Sequence, residues 1–246
     1  STGRAAKILS NLTEDLTSTV HSLIYRYVDF NQDLAIVAKQ SETSGVDKSG
    51  QLYLTFELTT VGINEGQQFY IIDEASMVSD VAEKNITQAS FGSGQLLTDL
   101  MNYDVKGKFI FVGDHYQLPP VASYDEQSFS PALSLEYFEN NLDRKGVSVA
   151  LTEIMRQQRG NDITSASKRV RALYDNVPTG KWGMLPLKGY NNITLHSDNI
   201  SLIRSYIKTI EGDNYNNATL ICKSNRRCNE LTEIIRPTLG KQGAIK

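Results

Sequence analysis

The chain has 246 residues, is 40% hydrophobic and 22% charged, and carries a net charge of −3, values ordinary for a globular protein with a substantial core. The 25 basic and 28 acidic side chains exclude a wholesale polyanion binder but leave room for a local basic groove. No apolar run approaches the roughly 18 residues of a membrane span, the opening STGRAAKILSNL lacks a leader's apolar core and cleavage site, and Cys222 and Cys228 are too few for a disulfide scaffold or a zinc site. A reduced, cytoplasmic protein with no membrane partner is expected.

Ala5, Ile8, Leu9 and Leu12 predict a helix over residues 4–12, and Val20, Leu23, Ile24 and Tyr27 predict a second over 19–27. Residues 30–66 differ: the β-type runs LAIVA and QLYLTFEL flank the polar SETSGVDKSG, as in a hairpin or small β insertion. QFYII, KFIFV and VSVAL then read as strands, with helices over 94–103 and 131–140 between them, the alternation of a parallel sheet with crossover helices. Beyond residue 157, Ile163, Ala166, Val170 and Leu173 predict a long helix, and PTGKWGMLPLKGY breaks the chain. NITLH, a helix over 200–210, ATLIC and a helix through Cys228, Leu231 and Ile235 form a second α/β set, with a boundary near 155–190.

The chemistry sits at strand ends. In YIIDEASM an apolar run leads into Asp73 and Glu74, and an open α/β sheet places its site at the carboxyl ends of its strands. Adjacent residues leaving a strand diverge, so one acid can hold a hard cation such as Mg²⁺ while the other orients or deprotonates a water. Capping of the next helix explains the pair as well. FIFVGDHYQLPPV repeats the pattern and sets Gln117 on a loop stiffened by Pro119 and Pro120, where it can touch a phosphate oxygen or simply lie on a surface turn. LTEIMRQ places Arg156, whose fork suits phosphate oxygens, after the third run. A surface salt bridge is the alternative role for Arg156.

In this order, IIDEASM, FVGDHYQLPPV and LTEIMRQ resemble motifs II, III and IV of superfamily 1 DNA helicases, in particular the RecD-like branch: the helicase subunit of exonuclease V and its relatives, which move 5′ to 3′. STGRAAKIL resembles motif Ia, TSTVHSLI the Thr-Ile-His segment after it, and TLICKSNRRCNELTEIIR the start of the second motor domain. The resemblance implies an α/β fold: a RecA-like P-loop NTPase motor domain over 1–155 with its first strand and phosphate loop missing, a β insertion at about 30–66, a connecting helix and linker over 156–190, and part of a second RecA-like domain over 191–246.

The same resemblance implies ATP and Mg²⁺ as cofactors and single-stranded or duplex DNA as partner. Asp73 is then the metal ligand and Glu74 the activator of water. Gln117 contacts the γ-phosphate and couples it to DNA, and Arg156 reaches the γ-phosphate as the cleft closes. Thr2 touches the DNA backbone, His21 lies near the strand, and Ser224 and Asn225 meet DNA or nucleotide. For His21 a core role, and for Asn225 a helix N-cap, stand equally open. The tip of the insertion, Glu42 to Gly50, holds no aromatic wedge. Other subunits of a helicase–nuclease complex are expected partners.

No G-x-x-x-x-G-K-[ST] occurs in the chain. The resemblance therefore implies a fragment of a longer helicase, with little ATPase activity alone and exposed sheet edges that favour self-association. A non-catalytic nucleic-acid-binding or assembly module on a helicase framework is the alternative.

Overall fold

A computed structural model describes residues 3–15, 17–28, 54–62, 66–82, 89–120, 129–155, 160–175, 187–211 and 217–240. The chain divides into two compact units, Ser1–Leu151 and Thr152–Lys246. LAIVA and the tip of the expected insertion lie outside the described residues.

In the first unit, helix α1 spans Gly3–Thr13. Of the face predicted for it, Leu9 lines a cavity together with Ala6, while Ile8 and Leu12 are exposed. Helix α2 spans only Val20–Ile24, capped by the Thr19 hydroxyl, which accepts the Ser22 N–H at 3.1 Å. The helix predicted to reach residue 27 stops here because Tyr25 takes up extended backbone (φ −111°, ψ 144°). Tyr25–Tyr27 is strand β1, paired antiparallel with Leu54–Leu58 (β2), so that Arg26 faces Glu57. Tyr-Arg-Tyr suits a strand as well as a helix turn, and the cross-strand partners decide.

β2 also pairs in parallel with Ala89–Phe91 (β4). The strand expected in a local hairpin therefore belongs to a mixed sheet extending beyond residues 30–66. The second sheet joins Phe69–Ile72 (β3) and Lys108–Phe111 (β5) in parallel, Phe69 opposite Lys108. The crossover between them carries helix α3, Leu96–Tyr103. It starts later than predicted because Gly94 sits at φ +81°, outside helical backbone. Residues predicted as one helix over 131–140 divide into a 3-10 turn, Pro131–Leu133, and helix α4, Leu135–Leu142, with the Ser134 hydroxyl as its cap.

Alternation along β3 and β5 turns Tyr70, Ile72, Phe109 and Phe111 to one side. There they join a core of Val20, Ile24, Tyr25, Ala75, Val78, Leu97, Leu100, Met101 and Ala132. Tyr70 stacks on Phe109 at 4.8 Å between ring centres, and Phe111 meets Phe138 at 5.0 Å. The opposite side carries Phe69, Ile71, Ile110 and Val112, all exposed. VSVAL is not a strand: it runs as irregular chain with Val147, Val149 and Leu151 at least four-fifths exposed. An apolar run of this length becomes a strand only where a ladder partner exists, and among the described residues it has none.

The second unit holds helices α5 (Asp162–Asp175), α6 (Asn199–Ile210) and α7 (Asn225–Thr238). The predicted helices are present, and Ala166, Ile210, Leu231 and Ile235 are buried. The predicted strands NITLH and ATLIC are irregular. The Asp162 carboxylate accepts the amides of Asn191 and Asn192, and Ile193 N–H closes a turn on Tyr190, so a turn takes the first two amides of NITLH. Ile221, in ATLIC, is exposed. Among the described residues no helix is long and apolar enough to cross a membrane.

Candidate active site

β3 delivers Asp73 and Glu74 directly past its last residue, Ile72. Both are half-buried. The Asp73 Oδ1 accepts the Glu74 backbone N–H at 2.9 Å, which fixes the carboxylate against the strand end. Glu74 itself adopts left-handed backbone, φ 54° and ψ 42°. For a residue with a Cβ this costs on the order of 1 kcal/mol. The 3-10 turn Ala75–Met77 follows, with Glu74 in the N-cap position but its side chain making no capping bond. The Glu74 side chain thus does not cap this turn.

The KFIFV strand ends beside this turn. The ladder runs one step past β5, with Val112 N–H donating to Ile72 O and Ala75 N–H donating to Val112 O, both at 2.9 Å. Gly113 comes next, at a close approach to the turn. A Cβ there would stand 3.0 Å from the Ser76 amide nitrogen and 3.1 Å from both Leu133 methyls. The loop then turns on Asp114, whose Oδ1 accepts Tyr116 N–H and whose carbonyl accepts Gln117 N–H, each at 3.0 Å. Gln117 and Leu118 are exposed and Pro120 is buried, so the loop is anchored at both ends and presents Gln117 from its crest. From the other side, Ser130, itself buried, donates its hydroxyl to Ser76 O at 3.0 Å.

Three aspartates are buried in this unit, each accepting a tyrosine hydroxyl. Asp80 accepts Thr98 N–H (2.7 Å), Thr98 Oγ1–H (2.8 Å) and Tyr137 Oη–H (2.8 Å). Burial first, and then the bond to Asp80, push the Tyr137 hydroxyl up to about 12. Asp104 accepts Tyr70 Oη–H at 3.0 Å. Asp99 accepts Tyr25 Oη–H (2.7 Å), Ser93 N–H (2.9 Å) and Ser93 Oγ–H (2.7 Å).

This last cluster explains the glycine-rich passage from β4 to α3, Phe91-Gly92-Ser93-Gly94. Its strand–loop–helix form is the kind that cradles a phosphate, but the chain's own Asp99 carboxylate fills the cradle. Gly92, at φ +43°, lies so near that a Cβ would collide with that carboxylate. The passage is a closed structural turn.

A cavity of about 220 Å³ runs along β3 from Phe69 to Asp73 and is walled by Ala6, Leu9 and residues 17–20 and 23. His21 is exposed on α2 and is not a core residue. Its ring meets Phe91 edge-on at 5.0 Å and Tyr25 at 5.7 Å. Ser224, not Asn225, caps α7, its hydroxyl accepting Arg227 N–H at 3.3 Å, and Asn225 is the first helical residue. Thr2 and Arg156 lie outside the described residues. The structure thus brings together Asp73, Glu74 and the Gln117 loop.

Gly113 as a contact point, the brace from Ser130, and Asp80 and Asp99 are not among the residues expected at the site from sequence. The available signal was an acid inside an apolar helix, LLTDLM, directly after a glycine-rich turn.

Among the described residues no cluster of three or more His, Cys, Asp or Glu side chains forms a metal cage. A magnesium ion that keeps its waters and takes one or two carboxylates plus phosphate oxygens needs no such cage. The half-buried Asp73, pinned at its strand end, fits that demand.

A family model described as an AAA domain matches residues 1–175. No curated protein and no solved structure matches the sequence.

Proposed function

Because the chain belongs to the AAA-domain family, a helicase-like group of P-loop NTPases, we propose that it supplies the motor of an ATP-dependent DNA helicase of the RecD-like branch. The observation that carries this proposal is the contact between two motifs far apart in sequence. The Asp73-Glu74 turn and the Gln117 loop share one ladder step at Ala75 and Val112, and they touch at Ser76 and Gly113. Carboxylates for a metal and a water, and an amide for a phosphate oxygen, thereby issue from adjacent strand ends, the arrangement that phosphoryl transfer by positioning and charge neutralisation needs.

In this proposal Asp73 holds Mg²⁺ and Glu74 orients and deprotonates the attacking water. Gln117 contacts the γ-phosphate and transmits its loss to the DNA-holding surface, and Arg156 balances charge at the same phosphate. The Mg²⁺ with ATP supplies the electrophilic phosphorus and neutralises its oxygens. In the same proposal Thr2 and His21 act on single-stranded DNA, Ser224 and Asn225 on DNA or nucleotide, and ATP-driven closing and opening moves the motor 5′ to 3′. The 246 residues contain no G-x-x-x-x-G-K-[ST], so alone they hydrolyse ATP slowly. That same absence favours a second reading, a non-catalytic module that binds nucleic acid or organises an assembly.

ATP turnover of the full-length protein, with and without single-stranded DNA, separates the two. A DNA-stimulated ATPase supports the motor. DNA binding with no turnover supports the module.

A further inference from the structure

Glu74 keeps a left-handed backbone, and a residue with a side chain stays there only when its surroundings over-determine it. On the upstream side the constraint is the ladder through Ile72, Val112 and Ala75. On the downstream side the chain is tied to the first turn of α3. Ser79 O accepts Leu97 N–H at 3.0 Å, Asp80 O accepts Gln95 Nε2–H at 3.1 Å, and the Asp80 carboxylate accepts Thr98 N–H, the Thr98 hydroxyl and the Tyr137 hydroxyl. Asp80 is 5% exposed, and Ala75, Ser76 and Val78 between the two anchors are wholly buried. The turn is thus a short span clamped at both ends, and one carboxylate, that of Asp80, takes three of the five downstream bonds.

We infer that Asp80 is a positioning residue for Glu74: its three hydrogen bonds lock the α3 and α4 surroundings onto the turn and so hold the Glu74 carboxylate at the reacting phosphate. The inference rests on the assignment of Glu74 as the water-activating group. Asp80 acts through the backbone of the turn and leaves nucleotide binding to other residues. Asp99 supplies a matched comparison: 3% exposed, it also accepts three hydrogen bonds, but it braces the Gly92–Gly94 passage and not the turn.

The test compares Asp80→Ala with Asp99→Ala in the full-length protein, at a temperature where both are folded by circular dichroism. Misplacement of a catalytic group by about an ångström lowers rate by up to roughly a hundredfold. We expect Asp80→Ala to lose roughly tenfold to a hundredfold in kcat, with the KM for ATP and the Kd for a non-hydrolysable ATP analogue within about twofold of wild type. Asp99→Ala keeps the wild-type kcat per folded molecule. Equal kcat for the two variants, whether both unchanged or both lowered, overturns the inference.

Should Asp80→Ala not fold, Tyr137→Phe removes a single donor and carries the test. A lowered kcat at unchanged KM supports the clamp, and an unchanged kcat overturns it. Glu74→Gln is run alongside. If that variant keeps turnover, the assignment of Glu74 has failed; if it is dead while Asp80→Ala is active, only the clamp has failed.

Discussion

Gly113→Ala tests whether the two motif-bearing strand ends are packed as tightly as the geometry states. The added methyl would stand 3.0 Å from the backbone amide nitrogen of the buried Ser76 and 3.1 Å from both Leu133 methyls. Side chains can give way at Leu133; the turn at Ser76 cannot without moving Glu74. Overpacking of this kind costs about 1–3 kcal/mol, and the lower chain entropy of alanine in the unfolded state returns about 0.4–1 kcal/mol. The net expectation is a loss of up to about 2–3 kcal/mol, larger the less Leu133 and the Ser76 turn give way. Urea unfolding followed by circular dichroism should show a lowered midpoint at unchanged slope. Gly66→Ala is the control, because a Cβ there meets nothing within 4 Å. Adding Leu133→Ala to Gly113→Ala should reveal coupling of at least about 0.5 kcal/mol between the two sites. A Gly113→Ala protein as stable as Gly66→Ala would refute the close approach.

The remaining expectations follow from the same interior. Asp99→Ala strands three donors in the core and should lower stability by about 3 kcal/mol or more in a thermal melt. With the Tyr137 hydroxyl raised from 10.0 to about 12, its contribution is fully present below pH 10 and is lost as pH rises from 10 through 12. Tyr137→Phe should therefore be about 1 kcal/mol less stable at neutral pH and should narrow its gap to wild type across that window in pH-dependent unfolding. Glu74→Gly relieves the left-handed backbone and should raise stability by about 0.5–1 kcal/mol while abolishing DNA-stimulated hydrolysis. A Glu74→Gly protein less stable than wild type would contradict the strain.

Much of the first unit was legible where a local signal and its tertiary partner agree. QFYII and KFIFV end at acids and at Gly-Asp, and each becomes a strand because the other supplies its ladder. Tyr25–Tyr27 was misread because Tyr27 completes a helical spacing from Val20 that the pairing with β2 overrides. VSVAL, NITLH and ATLIC have strand composition, but composition does not furnish a neighbour. At the site, the motif spacing brought Asp73, Glu74 and Gln117 into view. Asp80 did not show, since in MVSDVA it looks like a solvated acid until tertiary folding surrounds it with hydroxyls and an amide. The left-handed Glu74 left no trace either, because such backbone is read from glycine or asparagine and neither stands there.

In the proposed motor Glu74 activates the water that attacks ATP. The measurement that tests it most directly is the steady-state kcat of DNA-stimulated ATP hydrolysis by the full-length protein and its Glu74→Gln variant. Loss of general-base catalysis predicts a fall of about 10²- to 10⁴-fold in kcat, with the Kd for Mg-ATP within about twofold of wild type. Stimulated turnover that persists in Glu74→Gln at the wild-type rate would contradict it.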